Sequence, residues 1–539
     1  MKSTLWLVAL VTYLVSSCLL FGINVLTAPS KTSVGFGDDP ASFAWFVAWW
    51  PHAIGNLQNP LILNAVFAPD GVPAAWATSI PALSLLAAPL TVLTGPVAAT
   101  NALFILAPAL SAFAAYLLCV EVTHRAAPAL VGGWLYGFSA FISSHMFGHL
   151  NLAFAAWIPL LVLICIRVGR GKTTIYRGAI AFAVIGALQL GTSTEMALQT
   201  AIFGSIALAA FAVLTPELRP SIRRILKVAI PGWIGAAVLI SPLLVQQLLA
   251  GSIDWHPARR ADSQDLLSLV IPDPSLVIHF GDAITTSFTS SLTERGAYIS
   301  IFGVVLLVVF AWNSRRDKTN RVLPVLAGIA FLFALGPLLH VAGSQLPLPL
   351  PAAIFIPVPI LELMITGRFG LFMALCLAVT AAIAIADAKM RRWALPIALL
   401  AALACLPNPT FFLRWSEART PGSLAAGTAS PVANERIISL PVGTGMRWQA
   451  VNGFTYTQAG GYTGVILPMG YREWRDVLDG LAGRDQLPSP DRFASYAQEF
   501  GATTVVVGPN ALPGTDEMLT SAGYTATPAD GITIWRRPR

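Results

Sequence analysis

Charge is what this sequence has least of. Only 11% of its 539 residues are Asp, Glu, Lys or Arg, where a soluble domain carries roughly 25%. Hydrophobic residues make up 55%, and the mean hydropathy is +0.69. That balance excludes an ordinary soluble enzyme and predicts a polytopic membrane protein. Cysteine is also sparse: Cys18, Cys119, Cys165, Cys376 and Cys405 all fall inside apolar runs. No disulfide and no CxxC metal site is therefore expected. The chain has no internal repeat and no low-complexity tract, and acids are scarce in its apolar runs. A transporter or flippase, which should show inverted repeats and midplane charges, is thereby disfavoured.

The basic residues that are present recur in short clusters: Lys2, His124-Arg125, Arg167 to Lys172, Arg219 to Lys227, Arg315 to Arg321 and Lys389 to Arg392. Each flanks an apolar run, as cytoplasmic loops do under the positive-inside rule. Dispersed in this way, the net charge of +7 reports topology, and no nucleic-acid partner is expected. Fixing these clusters inside gives about eleven spans, near 5–28, 97–122, 127–147, 151–169, 174–191, 195–215, 226–249, 297–313, 321–342, 368–388 and 392–408. The N-terminus is then cytoplasmic. Ser79–Gly95, with Pro81 and Pro89, would break the alternation as a span and reads as a re-entrant or interfacial helix pair.

The expected fold is a polytopic all-α membrane domain over 1–408 and a small extracytoplasmic α/β domain over 409–539. Residues 29–96 form the first external loop, and 250–296 and 343–367 are further external loops. In the last segment charged and turn residues return. Arg436–Pro441, Thr503–Val507 and Gly531–Trp535 read as strands, and Arg472–Leu481 and Arg492–Phe500 as amphipathic helices.

The first external loop holds the features that bear most on chemistry. Gly37-Asp38-Asp39-Pro40 places two carboxylates just past the first span, where a desolvated acid is costly and usually functional. The competing reading is a helix cap ahead of Pro40, for which Asp39 is the better placed of the two. Ala41–Gly55 follows, with Phe43, Trp45, Phe46, Trp49, Trp50 and His52, a density that suits a helix in the headgroup layer. Its tryptophans suit an aromatic belt or stacking on a sugar or a lipid tail. The loop 250–296 is unusually polar, with Arg259, Arg260, Asp265, Asp273, Glu294 and Arg295 among its charges. Arg368 lies at the external mouth of a span, against the positive-inside bias. His145, His149 and Glu195 also fall at the external face, where residues of these kinds are more often structural than functional.

The order of these parts resembles the GT-C superfamily of integral membrane glycosyltransferases. The segments Gly37-Asp38-Asp39-Pro40, Trp49-Trp50-Pro51-His52, Pro69-Asp70-Gly71, Gly148-His149-Leu150-Asn151 and Met446-Arg447-Trp448-Gln449 are similar to those of actinobacterial members. The resemblance implies an inverting transfer of a sugar from a polyprenyl-phosphate donor to a cell-envelope glycan, lipid or protein acceptor. It places the reaction on the extracytoplasmic face of a bacterial plasma membrane. The family's first-loop base maps onto Asp38 or Asp39. Arg368, with Arg259 and Arg260 as second choices, would meet the donor phosphate. His52, Trp49, His145, His149, Glu195, Arg447 and Trp448 are candidate substrate contacts. Many members carry an acid between the third and fourth spans, where this chain has His145 and His149 instead. No metal ligand is assigned on that basis, and a divalent ion (Mg or Mn) is left open. The competing functions are a lipid-linked glycan transporter and a catalytically inactive envelope assembly factor. Oligomeric state is left open.

Overall fold

Apolar helices dominate the computed structural model, which describes residues 2–249, 263–412, 415–463 and 467–538. Among the described residues seven helices are long and apolar enough to cross a bilayer: Leu5–Thr27, Pro96–Thr123, Ala126–His145, Leu150–Gly169, Ile175–Thr192, Thr194–Leu214 and Thr366–Ala386. An eighth is counted if Pro216–Leu239 and Ser241–Leu249 form one broken span. The break at Ile240 precedes Pro242, whose ring blocks a continuing helix and removes a donor. The other expected spans are helical but shorter: Ser300–Asn313, Lys318–Ala334 and Arg391–Ala404. The expected span 321–342 stops early because Gly336, at φ 85°, and Pro337 end the helix. The chain then forms a hairpin, Leu338–Val341 against Ser344–Pro349.

The chain divides into two compact units. One gathers the described residues of Met1–Ile23, Leu103–Ile240 and Pro257–Arg414, and the other those of Asn24–Ala102, Ser241–His256 and Trp415–Arg539. In the first, the helical unit, Ile175–Thr192 packs along Arg219–Leu239, and Gly370–Ala386 packs against Ala126–Gly137 and Lys318–Ala334. The Thr366–Ala386 window is 89% buried, whereas that of Thr194–Leu214 is 17% buried. Both are apolar all round, so the first is an interior helix and the second offers an apolar surface suited to lipid.

The second unit joins the segment after the first apolar helix to the C-terminal segment. Its sheet has strands β1 (Arg436–Leu440), β2 (Thr457–Gln458), β3 (Thr504–Val507), β4 (Thr525–Ala529) and β5 (Ile532–Arg536), in the order β4-β5-β3-β1-β2. β1 runs parallel to β2 and β3, and β5 is antiparallel to β3 and β4. Helices Val442–Asn452, Arg475–Leu481, Pro490–Glu499 and Thr515–Ser521 connect the strands. The strands expected at 436–441, 503–507 and 531–535 are present within a residue or two. First-loop residues extend the β2 edge: Gln458 N donates to Ala65 O (2.9 Å) and Ala68 N to Gln458 O (2.9 Å).

The aromatic helix forms as expected, over Asp39–Gly55, but not as a surface helix. Twelve of its 17 residues are buried, and it packs against Val442–Asn452. Trp45 and Trp49 stack with ring centroids 5.1 Å apart. Trp45 Nε1 donates to Gln449 Oε1 at 2.7 Å, and Trp50 Nε1 to Ser79 O at 2.9 Å. The indoles that composition assigned to the headgroup layer instead have protein partners for their N–H groups, as buried tryptophans require. The segment 79–95 is a pair of short helices, Pro81–Leu86 and Ala88–Thr94.

Candidate functional site

Two groups of ionisable side chains stand out, one in each unit. In the second unit Asp38 and Asp39 open the helix Asp39–Gly55. Neither acts as the expected cap: Asp38 holds the N-cap position without a side-chain capping bond, and Asp39 is the first helical residue. Asp39 Oδ1 accepts from the Tyr462 hydroxyl at 2.9 Å. The Asp38 carboxylate accepts the Gly443 N–H at the start of Val442–Asn452. Only glycine fits there, because a Cβ on residue 443 would collide with the Asp38 carboxylate. Burial, then the neighbouring Asp39 charge, raises the Asp38 carboxyl, while Arg484, the Gly443 N–H and Arg447 pull it down without cancelling the rise. Burial and Asp39 likewise push the Tyr462 hydroxyl up.

Arg447 is buried beside this pair and donates to Glu417 O at 3.3 Å. Burial lowers its guanidinium to about 10 against the favourable charges of Asp38 and Glu417. The other expected contacts in this unit are packed away from any ligand. Trp49 is 1% exposed, with Nε1 on Pro60 O, and Trp448 is 2% exposed in the core under the sheet, with Nε1 on Arg419 O. Their volume is used for packing, so neither presents a ring face to a substrate. His52 sits half-buried against Phe454, ring centroids 4.4 Å apart, and burial lowers its pKa.

In the helical unit His145, His149, Glu195, Glu294 and Arg368 converge. Arg368, on the turn Thr366–Phe369, grips Glu294 with Nε and Nη2 at 3.1 and 2.6 Å, and reaches Glu195 with Nη1 at 2.5 Å. Glu195 also accepts from Ile365 N at 2.8 Å. The expected phosphate-binding arginine is thus engaged by two carboxylates and 8% exposed. Its fork orients Glu294 and does not face outward. The close approach depends on two glycines: a Cβ at Gly370 would lie 2.7 Å from Gly296 O, and one at Gly296 2.5 Å from the Phe141 ring. Burial alone would raise the Glu294 carboxyl, but Arg368 and then His145 hold it well below the usual range.

The imidazoles meet the same carboxylate. His145 Nε2 lies 3.5 Å from Glu294 Oε2, and His149 Nδ1 3.6 Å from Glu294 Oε1. His145 Nδ1 lies 2.7 Å from the Phe141 carbonyl, which accepts only, so Nδ1 carries the proton. The Nε2 lone pair therefore points towards an anionic oxygen, an arrangement that calls for a cation or a second proton. Ligand atoms of His145, His149 and Glu294 lie within 4.8 Å of one another. This is a nitrogen and oxygen donor set of the kind that suits a divalent metal. The backbone-anchored Nδ1–H is the outer-shell bond that usually accompanies such a ligand.

Glu294 was not singled out from sequence. It belongs to a loop far along the chain from His145, and only a long-range contact makes it their acid. Arg259 and Arg260 lie outside the described residues.

The structure is similar to the archaeal oligosaccharyltransferase AglB from Archaeoglobus fulgidus, with a TM-score of 0.54 and 12% identity over 100% of this chain and 75% of that one. It is also similar to the arabinofuranosyltransferase AftD from Mycobacteria, with a TM-score of 0.53 and 14% identity over 98% of this chain and 40% of that one. No curated protein matches the sequence. The likeness shows a fold shared with these two transferase structures. Residues 9–414 match the family described as Domain of unknown function (DUF6311), and the chain belongs to that family.

Proposed function

We propose that this chain is a GT-C glycosyltransferase that moves a sugar from a polyprenyl-phosphate donor to a cell-envelope acceptor on the extracytoplasmic face. One observation carries the reading: on a GT-C fold, two consecutive first-loop carboxylates are held half-buried without serving as caps, and one of them has a raised pKa. Similar structures include AglB with a dolichol-phosphate and an Archaeoglobus fulgidus oligosaccharyltransferase with Zn and sulfate, which supports a lipid-phosphate donor and a divalent ion here.

In this account Asp38 is the general base. It takes the proton from the acceptor hydroxyl as that oxygen attacks the anomeric carbon, and the bond to the lipid phosphate breaks with inversion. A carboxyl raised above its ordinary value is a stronger base than a free aspartate, and a positioned base contributes roughly 10²–10⁴-fold. Burial raises the Asp38 carboxyl, and Asp39, held by Tyr462, adds to the rise. In the helical unit Glu294, His145 and His149 would hold a divalent ion, which would supply positive charge to a phosphate oxygen. Arg368 and Glu195 fix the Glu294 carboxylate for that role.

The test is transfer from radiolabelled polyprenyl-phosphate mannose, arabinose and glucose by the purified protein, beside Asp38→Asn and Asp39→Asn. Asn is close to isosteric and still accepts the Gly443 N–H, so the fold should persist. A loss of 10²-fold or more in Asp38→Asn, with an unchanged melting temperature, is expected. Equal transfer by Asp38→Asn contradicts the assignment, and no transfer from any donor favours the inactive assembly factor.

A further inference from the structure

The second unit contains a cleft that the transfer chemistry described above leaves unused. It is small and open to solvent, with an accessible volume of about 60 Å³, room for a few waters or one face of a small ligand. It opens at the carboxyl ends of β1 and β2, where open parallel sheets usually bind ligands. Ser439, Tyr462, Thr463, Arg475, Asp479 and Arg484 supply its polar lining, and Phe67, Leu478 and Leu481 its apolar wall.

Two of these groups are strained in the hydrogen-bonding sense. Ser439 Oγ and Thr463 Oγ1 have no partner among the described residues, although the residues are only 3% and 2% exposed. A buried hydroxyl without a partner is destabilising, and both line the cleft. Arg484 Nη1 donates to Asp479 Oδ1 at 3.1 Å, and its guanidinium lies 5.5 Å over the Tyr462 ring.

The lining selects among ligand classes. A peptide added to the sheet would need the β2 edge, which residues 65–68 already occupy. A lipid tail would desolvate the Asp479–Arg484 pair and bond none of the lining hydroxyls. A bare anion would face Asp479 and find Arg484 already paired. A sugar ring fits each feature: its C–H face suits the apolar wall, and its hydroxyls both donate to Asp479 and bond Ser439 and Thr463. Tyr462 joins the cleft to the acid pair, since its hydroxyl is the donor to Asp39.

We propose that this cleft binds a neutral sugar residue of a glycan acceptor; the word acceptor rests on the transferase reading, the saccharide site does not. The test titrates the full-length detergent-solubilised protein with α-mannobiose, an α-arabinofuranosyl disaccharide and cellobiose, with glycerol phosphate as the anionic control. Binding is read by saturation-transfer NMR and intrinsic fluorescence. At least one disaccharide should bind saturably, with affinity falling 10-fold or more in both Asp479→Asn and Thr463→Val. Thr463→Val removes an unpartnered hydroxyl, so a merely structural role predicts an equal or higher melting temperature and unchanged binding. No binding by any disaccharide, binding equal in both variants, or binding of glycerol phosphate alone overturns the proposal. Saccharide binding without transfer upholds the cleft and fails the transferase reading. Transfer with acceptor KM unchanged in both variants upholds the transferase and fails the cleft.

Discussion

Arg368 shows how the partners of a side chain bear on the purpose that its position suggests. Its position at a span mouth marked it as special, but its donors are on Glu294 and Glu195. Removing it would leave Glu294 buried and uncompensated, a loss of about 3–5 kcal/mol. Arg368→Met should therefore lower the melting temperature sharply, and thermal denaturation in detergent checks it. Glu294 itself has a depressed carboxyl in the folded state. The sign follows: its stabilisation is present above the unfolded value of about 4.3 and is lost as pH falls towards the lower folded value. Glu294→Gln should flatten acid denaturation below about pH 4. Asp38 has the opposite shift. Its raised carboxyl places the acid limb of the transfer profile above the ordinary aspartate value of about 3.9. Because Asp39 contributes to that rise, Asp39→Asn should move the limb to lower pH, which a pH–rate profile reads directly.

Elements were legible where one local signal decides them. Apolar length located the helices, proline pairs located Pro81–Leu86 and Ala88–Thr94, and β-branched runs located β1, β3 and β5. The helix Asp39–Gly55 was legible as a helix, but not in its environment. Aromatic density without charge is shared by headgroup helices and buried ones, and what decides here is Gln449, some four hundred residues later in the chain, waiting for Trp45 Nε1. The two-residue β2 was invisible because its pairing comes from β1 and from the first loop, not from its own pattern. Glu294 escaped notice for the same reason, since a loop acid acquires meaning only against His145 and His149. The packing of the aromatic helix yields its own prediction. Trp45→Phe removes one hydrogen bond and should cost about 1 kcal/mol, whereas Trp45→Ala should cost about 3–5 kcal/mol, as denaturant unfolding would show.

At the scale of the whole molecule, the chain belongs to a family without an assigned activity and has a fold whose structural neighbours are glycosyltransferases. The fold alone does not carry an activity, so the proposal rests on side chains: an uncapped acid pair in one unit and a carboxylate–imidazole group in the other. If a divalent ion is part of the function, wild-type protein should bind Co²⁺ with visible ligand-field bands. Those bands should be lost in His145→Ala and His149→Ala, as optical titration would show. The most direct measurement of the central claim follows both products at once by mass spectrometry. Purified protein is given a polyprenyl-phosphate sugar and a disaccharide acceptor, and free polyprenyl phosphate and extended glycan are counted. The account predicts equal amounts of the two from wild type and at least about 10²-fold less of both from Asp38→Asn. Folded wild-type protein that yields neither product from mannose, arabinose or glucose donors, or an Asp38→Asn variant that yields both at the wild-type rate, would contradict it.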